Sequence, residues 1–347
     1  MNQYHRDLLL PDERPVEEGI CSMGTYWAPF TELNLLEAEK PLGALVPSCF
    51  KSFRLKEWEA FQISDENYFI CLAVSNFKLL GVAFIFIYDK LEERYYRYFQ
   101  KTRANRVSVP TGLMESVCHY SSETLNIRIG NHLSDNLFTI HFSAEATEDQ
   151  PACEGQISAS HDNAPLVIVH PLGKNRPLYS HKALMKGYGT VTVGEKTSRF
   201  KKGATAVILD DHKGFYPYHT RYDWLTALKQ EDGHLIGFNL TDNQVKDPER
   251  YNENCLWVDG RMCLLPPVKM IRSEGLKERW EISDTYDRVS LSFTPLCGEP
   301  MKKRFGMIST FYYGPIGRLK GYIIDDDGDK VSFDDWIGMG ESRNDRM

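Results

Sequence analysis

The chain lacks the marks of several large protein classes. No apolar run approaches the roughly 18 residues a membrane-spanning helix needs; the longest, Leu79–Tyr88, is of strand length. The opening MNQYHRDLLLPDERP has no positive segment, apolar core and small-residue cleavage site in series, so no signal peptide is expected. The eight cysteines are scattered without a CxxC pair, which argues against a zinc ribbon or a thioredoxin-like redox site and for reduced, mostly buried thiols in a cytoplasmic protein. With a formal charge of -7 and no basic segment, nucleic acid is not an expected partner. There is no GxGxxG after a strand, no P-loop, no HExxH and no GxSxG. Neither a cofactor nor a metal is called for.

Helical periodicity is nearly absent too, and what replaces it sets the fold class. The first forty-odd residues read as an irregular lead-in punctuated by Pro11, Pro15, Pro29 and Pro41, with one short helix predicted over Thr31–Glu39. From Phe53, short runs rich in Ile, Val, Phe and Tyr follow one another, separated by turn clusters. In the run Leu125–Ile129, apolar Leu125, Ile127 and Ile129 alternate with Asn126 and Arg128, as in a strand with one buried face. Many short strands at this spacing imply sandwiches or barrels. The polar, small-residue stretch Glu145–Ala164 reads as a connection or a long loop, and a second strand series starts at Leu166. The expected organisation is all-β: a lead-in over 1–52, one β domain over 53–164 and another over 165–347.

One stretch departs from this plain texture. Thr205–Leu209 is an apolar strand, but Asp210–Trp224 then packs three Asp, two His, one Arg, three Tyr and one Trp into fifteen residues. Aromatic walls with ionisable groups suit a partly enclosed polar pocket. They equally suit a buried polar strut between domains, with Arg221 pairing Asp210 or Asp211. Pro217 points to a strand edge or bulge. Candidate residues here are Asp210, Asp211, His212, Tyr216, Tyr218, Arg221 and Trp224.

Tyr179, His181 and Lys182 form a second constellation, in HPLGKNRPLYSHK. In ESVCHYSSE, Cys118 and His119 are neighbours on a strand and face opposite ways, which disfavours a nucleophilic dyad; Glu115 and His119 remain as pocket groups. Asp325, Asp327 and Asp329 resemble the start of a calcium loop, but Gly328 falls two places early and the flanks read as strands. An acidic hairpin turn is expected there, with Trp336 and Glu341 as the better pocket candidates.

Several segments together resemble domain-of-unknown-function family 2804: Leu55–Asp89, YSHKALMKGYGTV, AVILDDHKGFYPYHTRYDW, ENCLWVDGRMCLL and VSLSFTP. That family is similar to the lipocalin-like group of carotenoid 1,2-hydratases and tocopherol cyclases. The resemblance implies two consecutive lipocalin-like β-barrel or curved-sheet domains, with a pocket at or near their interface. Position by position it implicates Lys182, Asp210, Tyr218, Arg221, Trp224 and Glu341. Tyr216 stands where many members have Trp, and Lys213 where Arg is common; a lysine cannot reproduce a bidentate arginine contact.

The expected function is a cofactor-independent acid/base enzyme of the hydratase, isomerase or lyase type, acting on a small, partly apolar molecule. Asp210 or Asp211 would be the acid/base, with Tyr218 and Arg221 orienting. Tyr216 and Trp224 would form the wall; Lys182 and Glu341 complete the polar set. Two alternatives stand beside it: a non-enzymatic lipid carrier, and a carbohydrate-active enzyme with paired carboxylates on an aromatic platform.

Overall fold

The computed structural model describes residues 4–346. Nearly every element is a strand, as the short β-branched and aromatic runs require. They form a nearly closed barrel and a half-barrel sheet. The first sheet runs from Arg94–Arg103 at one edge, through Lys56–Ser64, Ala206–Gly214 and Pro177–Val193 at its middle, to Ser116–Ser121 and Val107–Ser108 at the other. Tyr98, on the edge strand Arg94–Arg103, donates to the carbonyl of Pro151, just before the strand Cys153–Ser160, at 2.6 Å. The second sheet centres on His219–Glu231 and Lys330–Arg346, paired antiparallel, with the hairpin Met301–Phe305/Ile308–Tyr313 added outside the latter strand. No helix among the described residues is long and apolar enough to cross a membrane.

The change of sheet falls between Gly214 and His219, not at the expected seam after Ala164. The cause is visible in Cys153–Ser160, a strand that bridges Leu137–Ala144 and Pro177–Val193. Its inward residues Cys153, Ile157 and Ala159 are buried, while Glu154 and Gln156 face solvent. Small inward side chains and a polar outer face give such a strand the composition of a linker.

The lead-in is less irregular than its prolines imply. Gly24–Tyr26 pairs with Leu166–Pro171. Val16, Tyr26, Phe30, Leu33 and Leu35 bury against Val167, Val169, Tyr179 and Phe215. The helix predicted over Thr31–Glu39 is only a single 3-10 turn, Leu35–Glu37. The one α-helix among the described residues, Ser48–Arg54, lies where the sequence gives no clear periodicity, and it buries none of its residues.

The two sheets share a core. Leu184 and Ile208 of the first pack with Trp224, Leu228 and Met339 of the second. Inside the half-barrel, strand spacing leaves no room at Gly321, where φ is +127° and a Cβ would overlap the Ser290 carbonyl oxygen. Gly321→Ala is therefore expected to cost about 2–3 kcal/mol. The measurement is the urea midpoint, and a midpoint equal to wild type would contradict this close approach.

Candidate functional site

Strand alternation sorts the unusual stretch into two faces. In Ala206–Gly214, Asp210 and His212 point one way and Asp211 and Lys213 the other. Register does the same for its neighbours: Lys182 lies opposite Asp210, Ser180 opposite His212, and Trp58 opposite His212 on the other side. Ser180, Lys182, Asp210, His212 and Trp58 thus face the seam between the sheets. From the second sheet, Tyr222 and Trp224 lie opposite Arg343 and Glu341. The segment before Cys255–Val258 supplies Glu253.

Glu253 is held from several sides. Asn239 donates to its carbonyl oxygen at 2.6 Å, and the side chain of Asn254 accepts from the amide of Thr241 at 2.7 Å. Arg6, in the lead-in, donates to the carbonyl oxygens of Asn252 and Asn254. The Glu253 carboxylate lies 2.8 Å from His170 Nε2 and 3.3 Å from Lys182 Nζ. Lys182, fully buried, also donates to Asp210. His212 Nε2 is 3.0 Å from Asp210 Oδ1 and 3.4 Å from Glu253 Oε2, while its Nδ1 is 3.3 Å from the Tyr216 hydroxyl. Trp58 stacks on the His212 ring, centroids 4.6 Å apart and planes within 12°.

This packing divides the carboxyls electrostatically. Burial alone would raise Asp210, but Lys182 and His212 outweigh it and hold its carboxyl at about 2. Burial likewise opposes ionisation of Glu253, yet His212, Lys182 and His170 hold it well below its ordinary value. Glu341 differs. Burial raises it, Arg343 only partly offsets this, and the charge on Asp210 adds to the rise, leaving it at about 7.

Two cavities meet at this point. A small cleft of about 50 Å³ is lined by Lys182, His212, Tyr216, Arg221 and Glu253. A larger cavity of about 420 Å³ is walled mainly by apolar and aromatic side chains, among them Phe77, Phe84, Phe86, Phe99 and Tyr312. Trp58, Asp210, Tyr222, Trp224 and Glu341 line both.

Of the residues singled out in the sequence, Lys182, Asp210, His212, Tyr216, Arg221, Trp224 and Glu341 are brought together here. Others are not. Alternation turns Asp211 into the first barrel, where Lys213 donates to both its oxygens at 2.5 and 2.6 Å. Tyr218 follows Pro217 outward, and its hydroxyl donates to the carbonyl of Met307 at 2.5 Å. Tyr179 packs behind the site against Phe30, centroids 6.3 Å apart. Trp336 packs on Phe333 beside the second core. Glu115 pairs with His132 at 2.8 Å on the outside of the barrel. Asp325 accepts from the amides of Asp327 and Asp329 in an acidic hairpin turn. Trp58, Glu253 and Arg343 are contributors that sequence reading missed. Glu253 had one signal, a polar NEN run directly before an apolar strand.

The family described as Domain of unknown function (DUF2804) matches residues 6–347, and the chain belongs to it. No curated protein matches the sequence. Two solved structures share its fold. Kievitone hydratase from Nectria haematococca is 10% identical with a TM-score of 0.50, the match covering 83% of this chain and 88% of that one. CghA is 11% identical with a TM-score of 0.51, covering 84% and 88%. At this identity the likeness concerns the fold, a lipocalin-like one.

Proposed function

We propose that the protein is a cofactor-independent acid/base enzyme, of hydratase, isomerase or lyase type, acting on a partly apolar molecule held between the two sheets. The observation that carries this is the pair of carboxyls at the junction of the cavities: Asp210 held at about 2 and Glu341 at about 7. Neighbouring carboxyls whose surroundings drive their proton affinities apart suit an acid and an anion acting on one substrate. Glu341 is the proton donor. Asp210, fixed as an anion by Lys182, faces developing positive charge or positions a water. Trp58 and Trp224 flank the reacting part, Arg221 and Tyr222 orient it, and the aromatic cavity takes the apolar remainder. Asp211 and Tyr218 have no part in this scheme.

The name of one fold relative, kievitone hydratase, agrees with this reaction class. A carrier reading has its own support in the apolar cavity and in the pairing of Lys182 with Asp210 and Glu253. Incubation in deuterated water with a panel of apolar alkenes, enones, alcohols and glycosides separates the readings. Acid/base turnover places solvent deuterium on carbon in at least one alkene or enone, which mass spectrometry reads directly. Release of reducing sugar would point to glycoside cleavage instead, and co-purified lipid without any exchange would point to a carrier.

A further inference from the structure

The mouth of the larger cavity carries a second kind of surface. Leu79, which lines the cavity, is 69% exposed, and Phe53 beside it is also exposed. Phe53 belongs to the helix Ser48–Arg54, whose other ring, Phe50, lies 6.5 Å away and is exposed as well. Across the mouth stands the hairpin Met301–Phe305/Ile308–Tyr313. Met301 and Thr310 line the cavity, and Met307 at the turn is 83% exposed. Lys101 lies between these groups, with its Nζ 3.3 Å from Met301 Sδ. Large apolar side chains gathered at an opening, rather than scattered, mark an interaction site.

Charge narrows the partner. Lys101 and Lys303 meet at this rim, Lys302 and Arg304 are exposed on the other face of the same strand, and no described carboxylate lies within ion-pair distance of any of the four. A chain of net charge -7 concentrates unpaired cations at the entrance to its apolar cavity. Exposed Phe, Leu and Met interleaved with Lys and Arg match the boundary between acyl chains and anionic headgroups. A soluble acidic partner would need the cations and leave the apolar tips unused.

We infer that the cavity mouth docks on an anionic lipid bilayer, and that the apolar ligand enters the cavity from that bilayer. The inference rests on reading the cavity as the ligand site. Docking itself is measurable without turnover.

The test is co-sedimentation of the full chain with vesicles of phosphatidylcholine alone and of phosphatidylcholine mixed with phosphatidylserine, at low and high salt. The protein is expected to sediment with the mixed vesicles, less so at high salt, where exposed charges are screened. The Lys302→Glu/Lys303→Glu variant should bind them roughly 30-fold or more weakly, from the contribution of each basic residue near the surface. Phe50→Glu/Met307→Glu should weaken binding as well. Both variants change exposed side chains outside the cavity lining, and a thermal melt like wild type checks their folding. Glu341→Gln should sediment as wild type does, so vesicle binding by a protein that catalyses nothing supports docking while removing the acid/base reading. Turnover of a soluble substrate without vesicle binding overturns docking alone. Equal sedimentation of the lysine variant overturns it too, as does a wild-type dimer that Met307→Glu dissociates when no vesicle is bound; the last would assign the surface to a second copy of the chain.

Discussion

Lys182→Met is expected to lower the unfolding free energy by about 3–5 kcal/mol near neutral pH, because it strands two anions in the seam between the sheets. Lys182 is fully buried and, among the described residues, is the one ammonium that reaches both Asp210 and Glu253. His212 remains beside them; burial and Lys182 oppose its charge, but Glu253 and Asp210 outweigh them and raise its proton affinity, so it compensates the two anions in part. The pH dependence gives the loss a signature. In the wild type, Asp210 and Glu253 have folded values below their ordinary ones, so their contribution is present above about pH 4 and is lost as pH falls toward about 2. Without Lys182, one of the charges that offsets burial is gone and both values rise, while His212 still holds part of the shift. Their contribution above about pH 4 is then smaller, and the gap from wild type should narrow as pH falls toward the folded values. Urea unfolding at neutral and acid pH reads this directly. Adding Asp210→Asn to Lys182→Met removes one of the stranded charges, so the double variant should be more stable than the sum of the single losses. A loss under about 1 kcal/mol at neutral pH would place the pair in the class of weak, solvated bridges and sink this account.

The strand texture was legible because a half-buried strand writes its period into the chain, as Leu125–Ile129 does. The phase of the most important strand was not legible. Over Asp210–Lys213 both faces of the strand turn inward and both are polar: Asp210 and His212 meet Lys182, while Asp211 and Lys213 meet Glu59 inside the first barrel. With no apolar face to mark the inside, alternation cannot tell Asp210 from Asp211. Lys182, Asp210 and Glu341 were tied together only through the family resemblance, since their positions far apart in the chain carry no local sign of contact. Trp58 escaped for the opposite reason. An aromatic in an apolar strand is ordinary, and only the stacking on His212 sets it apart. The change of sheet after Gly214 was not legible, because Cys153–Ser160 turns its polar side chains to solvent, which makes a central strand look like a linker.

Glu341→Gln is expected to reduce turnover on any substrate found by solvent exchange by about 100- to 10,000-fold, the usual worth of a positioned proton donor. The amide keeps the size and the contact with the pocket wall but carries no transferable proton. Wild-type activity should fall as pH rises through about 7, because the donor must be protonated. Asp210→Asn should move that limb to lower pH, since the charge on Asp210 contributes to the rise of Glu341. The substitution should move stability the opposite way from activity. A carboxyl raised above its ordinary value favours the folded state below that value and loses the advantage as pH rises through the folded one, so wild type weakens between about pH 4.5 and about pH 7. The amide of Glu341→Gln does not ionise, and above about pH 7 the variant should be more stable than wild type by about 1–3 kcal/mol, the lower end reflecting water that reaches the cavity. The protonated carboxyl is also visible without substrate, as an infrared C=O stretch that persists at mildly acid pH and is missing from the variant. If wild type shows no such band one unit below about pH 7, Glu341 is already ionised and cannot be the donor. A variant that gains stability at high pH and loses turnover would show one burial performing both effects: the apolar seam that makes Glu341 costly to ionise is what keeps its proton available to the ligand.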